Sequence, residues 1–114
     1  GYHAAKQLLC DQVTALLCFN DDMAFGAKQA IEEMGLNVPR DVSLIGYDNL
    51  DINRVAEMGL TTVERNMEEL AITGTKLLLD KIEHRENGYE RIFLDTKLIV
   101  RKSVRNMNVA SVEG

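Results

Sequence analysis

Residues 13–48 read VTALLCFNDDMAFGAKQAIEEMGLNVPRDVSLIGYD. Two apolar runs, Val13–Phe19 and Val42–Tyr47, stand on either side of a segment with helical spacing. Each run is bounded by polar residues, which predicts a strand buried on both faces. Between them Met23, Ala27, Ala30, Ile31 and Met34 recur along one helix face. Asn20 or Asp21 can cap that helix. Gly35 suits the left-handed residue that ends it. Pro39 sits in the loop ahead of the second strand, where its missing N–H does no harm. The expectation is a right-handed βαβ unit with parallel strands, and an α/β fold with a parallel sheet flanked by helices. Open sheets of this kind bind ligands beyond the carboxyl ends of their strands. Asn20 and Asp48 follow two such ends, so this stretch reads as half of a small-molecule pocket.

Upstream, Tyr2–Cys10 is helix-like, with Tyr2, Ala5, Leu8 and Leu9 near one face. No capping residue precedes it except Gly1, which suggests a piece of a longer polypeptide. Downstream, Asp51–Met58 fits a short helix that Gly59 ends, and Leu60–Val63 is a short β-like segment. Asn66 and Glu69 have the spacing of a capping box. Leu70, Gly74, Leu77, Leu78 and Ile82 then form one stripe of an amphipathic helix from Met67 to Arg85. Gly74 costs that helix about 1 kcal/mol relative to Ala, so close packing against a neighbouring backbone is expected there. Glu86–Asn87–Gly88 reads as a turn. Arg91–Val100 alternates, which predicts a strand with one break near Asp95–Thr96. Beyond Asn106 a frayed polar tail is expected.

The 114 residues make one domain or part of a larger one. At this size roughly 65% of the unfolded surface is buried, so a modest core needs no staples. An apolar fraction of 46% and a charged fraction of 27% suit a soluble globular protein. The net charge of −5 weighs against a nucleic-acid face or an anionic membrane partner. The apolar runs are too short to span a bilayer. Gly1–His3 lacks the features of a signal peptide. Cys10 and Cys18 fit small buried thiols in a reducing compartment. The expected location is cytoplasmic.

Neighbouring strands lie about 5 Å apart, so Asn20 and Asp48 face one volume if their strands are adjacent. A carboxylate accepts strong hydrogen bonds from hydroxyls, and an amide both donates and accepts. The pair suits a sugar, a nucleoside or a purine base. A plain helix cap at Asn20 and a turn-capping carboxylate at Asp48 fit the same spacing. Asp21 and Asp22 point in different directions on a helix and suit its dipole better than a chelate. His3 and His84 sit neither beside a nucleophile nor in a metal-ligand spacing. No phosphate loop is present, and no serine or cysteine has a nearby base. No catalytic residue, metal or cofactor is therefore expected, and the chain is not read as an enzyme. Lys97, Arg101, Lys102 and Arg105 read as a solvated edge. Met23, Phe25, Lys28 and the loop Asn49–Arg54 are candidates for a subunit interface.

Four motifs in order carry a resemblance. TALLCFNDDMAFGA (Thr14–Ala27) resembles the T-A-hydrophobic-C-x-N-D-x-M-A-x-G-A segment of the lactose/galactose repressor family. GLNVPRDVSLIGYDN (Gly35–Asn49), LTTV (Leu60–Val63) and LIVRKS (Leu98–Ser103) are similar to three further segments of that family. Together they cover nearly the whole chain. The resemblance implies a bacterial transcription regulator with a helix-turn-helix headpiece and a two-lobed, periplasmic-binding-protein-like effector domain. This chain resembles the C-terminal part of that domain. Residues 1–61 would belong to the C-terminal lobe, 62–90 to a hinge and a helix of the N-terminal lobe, 91–106 to strands returning to the C-terminal lobe, and 107–114 to a tail. The long helix, without its own lobe, would pack on or swap with a second copy. Asn20 and Asp48 match effector-binding positions. Phe19 stands where the family usually has a small residue, and would narrow the pocket, stack on a sugar or fill core. Met23, Lys28 and Asn53 fall on elements similar to those that form the family's homodimer. The implied partners are a small effector, a sugar or nucleobase-like metabolite, and DNA through the headpiece alone. A transporter's periplasmic sugar-binding protein shares the fold and is the alternative.

Overall fold

The computed structural model describes residues 1–84 and 88–108. Eight elements follow in order: α1 (Tyr2–Leu9), β1 (Ala15–Leu17), α2 (Asp21–Glu33), β2 (Ser43–Ile45), α3 (Ile52–Met58), β3 (Thr62–Arg65), α4 (Met67–His84) and β4 (Thr96–Ile99). The chain divides into two compact units, Gly1–Glu64 with Leu98–Gly114, and Arg65–Lys97.

In the first unit β1 and β2 pair in parallel, with Leu16 opposite Leu44. Helix α2 makes the crossover, as the two apolar runs predict. Parallel bridges from Ile45 to Thr61 and from Asp48 to Glu64 place the start of β3 on the other side of β2. The middle strand is accordingly the buried one: Leu44 is fully covered, and Ser43 nearly so. β1 differs from expectation. Only Leu16 is buried, while Leu17 is 78% exposed. Among the described residues nothing covers the face of β1 that carries Leu17, so the run is buried on one face, not two.

The core joins Leu16, Leu44, Val42, Val55 and Leu60 to Ala5 and Leu9 of α1 and to Ala24, Ala27, Ala30 and Ile31 of α2. Three alanines on one face bring α2 close to its neighbours. Gly26 does the same toward α1, since a Cβ there would lie 2.9 Å from the Tyr2 nitrogen. Residues after β4 close the unit. Leu44 N–H donates to Ser103 O at 2.8 Å. The buried Ser103 hydroxyl donates to Leu44 O and accepts from Thr61 N–H. One small side chain thus satisfies two buried backbone groups. Gly35 and Gly59 follow or cap their helices with φ of 76° and 70°, as read from the sequence.

In the second unit α4 starts at the expected cap: Asn66 Oδ1 accepts from Glu69 N–H at 3.0 Å. No residue of α4 is buried, and Leu70, Leu78 and Ile82 stay between 44% and 63% exposed. A Cβ on Gly74 would meet nothing within 4 Å, so the close backbone expected there is not observed. Residues 91–95 form no strand. β4 begins at Thr96, at the anticipated break, and pairs with β3. Alternation alone does not make a strand; the ladder needs a partner, and β3 is four residues long. Arg85, Glu86 and Asn87, with most of the predicted turn, and residues 109–114 of the tail lie outside the described residues.

Candidate functional site

Pairing continues past the strand ends. Cys18 N–H donates to Ile45 O at 2.8 Å, and Asp21 N–H to Tyr47 O at 3.0 Å. Asn20 and Asp48 are thereby held at one edge of the sheet, where both line a cleft of about 90 Å³. Phe25, Leu50 and Val55 supply its apolar lining. Its other lining residues are Asp21, Asp22 and Asp51; Asp51 caps α3, and Arg54 Nη1 lies 3.4 Å from Asp22 Oδ1.

Asn20 is extended (φ −151°), and its Oδ1 caps α2 by accepting from Met23 N–H at 2.8 Å. The cap leaves the donor end of the amide for other work. Asp48 has φ of +109° and Asn49 has φ of +54°. Two consecutive non-glycine residues in this region cost about 1–3 kcal/mol each and persist where surroundings over-determine them. Here they do. Asp48 N–H donates to Val63 O at 2.8 Å. Asn49 is buried, and its Nδ2 donates to Glu64 Oε1 at 3.0 Å. Arg101 donates from Nη2 to Asn49 Oδ1 at 3.3 Å and from Nη1 to Leu60 O at 2.8 Å.

Sequence reasoning missed two members of this network. Asp21, read there as a dipole complement, is 7% exposed. Its Oδ2 accepts from Asn49 N–H at 2.7 Å, and its Oδ1 accepts from the Thr62 hydroxyl at 2.6 Å. Arg101, read as part of a solvated edge, is half-buried and braces the loop after β2. The sequence carried no signal for Asp21; the structure shows it through Gly46, where a Cβ would collide with the Asp21 carboxylate.

The remaining candidates lie elsewhere. Phe19 is 83% exposed, so it does not fill core, and it does not line the cleft. It shares a shallow apolar depression with Leu8, Leu17 and Met23. Lys28 pairs with Glu32 along a groove of about 340 Å³ between α2 and α3. The Arg54 guanidinium lies 3.8 Å from the Phe25 ring centroid in that groove, and Asn53 is exposed beside it. The three interface candidates therefore fall on two surface features: Met23 on one, Lys28 and Asn53 on or next to the other.

Burial pushes the Cys18 thiol up, away from reactivity. Cys10 is exposed, contrary to expectation. His84, which the sequence left outside any metal-ligand spacing, brings its ligating atom within 4.8 Å of those of Asp80 and Glu83. All three are exposed on one turn of α4, with helical spacings of three and four as the available signal.

The family profile of the periplasmic binding protein-like domain matches residues 1–104. The chain belongs to that family. Within this periplasmic binding protein-like family it is similar to the HTH-type transcriptional repressor PurR of Haemophilus influenzae, at 40% identity over 112 residues. That match covers 94% of this chain and 33% of the relative, so the chain spans about a third of such relatives' length. Among solved structures, a LacI family transcriptional regulator from Enterococcus faecium with bound ribose matches at 37% identity and a TM-score of 0.77, over 90% of this chain and 38% of that one. The lac repressor dimer bound to operator and the anti-inducer ONPF matches at 31% identity and a TM-score of 0.77, over 90% and 36%. The resemblance read from the four motifs is thus borne out. The chain is a fragment of a periplasmic-binding-protein-like domain, similar to the effector domains of lactose/galactose-type repressors.

Proposed function

We propose that this chain is the effector-sensing and dimerising portion of a cytoplasmic transcription regulator. Its cleft binds a small polar metabolite, a sugar or a nucleobase-like molecule. The single observation that carries the reading is the placement of Asn20 and Asp48 in one cleft at the ends of adjacent parallel strands. Four aspartates line the cleft against one neighbouring cation, Arg54 beside Asp22, and this acidic balance favours a hydroxyl-rich or amino-bearing ligand over an anionic one. Ribose in the Enterococcus faecium structure is such a molecule. Phe19, exposed just past β1 and outside this cleft, stacks on a ligand only where that ligand extends beyond the cleft.

In this reading residues 1–61 and 91–106 belong to the C-terminal lobe and 62–90 to a hinge and a helix of the N-terminal lobe, and the division of the chain into two compact units near Arg65 and Lys97 is in keeping with it. Homodimers form through elements that carry Met23, Lys28 and Asn53, in keeping with the dimeric state of the lac repressor structure. DNA is contacted by a helix-turn-helix outside this chain, in keeping with the PurR relative. The repressors among its relatives favour this reading over a transporter's sugar-binding protein. No helix among the described residues is long and apolar enough to cross a membrane. The effector shifts operator affinity only by its differential affinity for the two lobe arrangements.

The test is calorimetry on the full-length protein with ribose, lactose and adenine. Asp48→Ala weakens binding of the active probe by about 2–4 kcal/mol, because it removes an ionised acceptor from a partly desolvated site. Unchanged affinity removes Asp48 from the site.

A further inference from the structure

Asp21 brackets Asp48. Its N–H donates to Tyr47 O, in the residue before Asp48, at 3.0 Å. Its carboxylate accepts from the N–H of Asn49, in the residue after, at 2.7 Å. The second carboxylate oxygen is held by the Thr62 hydroxyl at 2.6 Å, so the group cannot turn away without leaving that partner. The carboxylate is nearly buried and occupies space that a side chain at position 46 would need. We infer that Asp21 is a positioning residue for ligand recognition: it holds Asp48 in its left-handed backbone conformation and so aims the Asp48 side chain at the cleft it shares with Asn20.

The chemistry supports this assignment. A non-glycine residue at φ of +109° relaxes to an ordinary conformation unless both flanking peptides are fixed. Tyr47 O and Asn49 N–H are those two flanks, and one residue holds both. A charge-assisted hydrogen bond to a backbone N–H is about twice as strong as a neutral one, which suits it to work against strain. Asp21 itself also follows Asn20, so a single short segment sets the geometry of both polar residues in the cleft. A purely stabilising role would need none of this bracketing.

The inference rests on the effector reading of the cleft, so the experiment has two arms on the full-length protein. The first needs no ligand. Hydrogen–deuterium exchange is followed by mass spectrometry over peptides that contain Asn49. Asp21→Ala speeds exchange there by about tenfold or more, the loss of one charge-assisted hydrogen bond, while α2 and the Leu44 strand keep wild-type protection. Asp21→Asn, which retains an acceptor for Asn49 N–H, restores slow exchange.

The second arm is calorimetry with ribose, lactose and adenine. Asp21→Ala weakens the active probe by about tenfold or more, and Asp21→Asn recovers affinity to within about threefold. In an Asp48→Ala background, Asp21→Ala adds less than about twofold, because Asp21 acts through Asp48. Additive losses, or unchanged exchange at Asn49 in Asp21→Ala, overturn the proposal. If Asp21→Ala does not fold, Asp21→Ser takes its place, since serine stays polar beside Thr62 but is too short to reach Asn49. A wild type that binds no probe counts against the effector reading, and the exchange arm then still decides whether Asp21 holds this turn.

Discussion

A single methyl group at position 46 tests the buried network under the cleft. Gly46 has no positive φ, so its backbone alone would accept alanine. Space is what forbids it. A Cβ there collides with the Asp21 carboxylate and lies 2.9 Å from Leu60 Cδ2. Leu60 is fully buried and has nowhere to go, so Asp21 must yield. Yielding loosens the bonds from the Thr62 hydroxyl and Asn49 N–H. Hydrogen bonds to charged groups contribute about 1.5–3 kcal/mol each. Overpacking adds a cost of about 1–3 kcal/mol. Alanine returns about 0.4–1 kcal/mol by restricting the unfolded chain. Water that reaches the displaced carboxylate offsets part of the loss. The expected destabilisation by Gly46→Ala is about 3 kcal/mol, read as a lower urea midpoint with unchanged slope. The mechanism predicts non-additivity as well. In an Asp21→Ala background the same methyl group has less to strike and costs roughly 1–2 kcal/mol less. A destabilisation under about 1 kcal/mol, or an equal cost in both backgrounds, refutes the reasoning.

Three further outcomes follow from the same coordinates. Leu44→Ala, on the fully buried middle strand, costs about 2–5 kcal/mol in urea unfolding; a loss under about 1 kcal/mol would place Leu44 outside the core. Asn66→Ala removes the cap of α4 and costs about 1 kcal/mol, visible as faster amide exchange over the first turn of that helix and nowhere in α2. Glu33 is held below the ordinary carboxylate value by the Tyr2 hydroxyl, then by the Gln29 amide and Lys6. A depressed carboxylate contributes stability that is full above its unfolded value, about 4.3, and is lost as pH falls through the folded one. The protection factor of α1 amides, that is, exchange relative to the intrinsic rate at each pH, therefore falls as pH drops below about 4, and Glu33→Gln flattens that dependence.

The parts of this molecule that were legible in its sequence are those set by near neighbours in the chain. The βαβ unit shows as two apolar runs around a helical period, and the caps at Asn20 and Asn66 each bond a residue three positions on. Asp48 in the cleft follows from the rule that polar residues after parallel strands share an edge. What stayed hidden depends on distant partners. Asp21 bonds residues 28 and 41 positions away, and Arg101 bonds Asn49 at a separation of 52. Composition gives a first-turn aspartate and a basic cluster no sign of such contacts. Nor does an apolar run say which of its faces has a neighbour, which is why β1 was expected to be buried on two faces and has one. Arg91–Asp95 failed for a related reason: alternation describes a face, and pairing makes a strand.

The strain at Asp48 also separates two accounts of why it matters. If the left-handed backbone were itself the functional element, glycine would keep it at no steric cost and preserve binding. If the carboxylate reads the ligand and the backbone only aims it, glycine and alanine bind equally poorly. Both replacements lack every side-chain contact of Asp48, so those contacts cancel between them. What remains is φ of +109°, which alanine resists and glycine accepts. Asp48→Gly is therefore more stable than Asp48→Ala by about 1 kcal/mol, while their affinities for the active probe agree within about twofold. Equal stability would mean that alanine relaxes the turn and that nothing fixes it. Preserved binding in Asp48→Gly would move recognition from the carboxylate to the peptide groups around it. Only the split result, a stability difference without an affinity difference, fits a carboxylate whose direction is imposed on it by the residues that hold its neighbours.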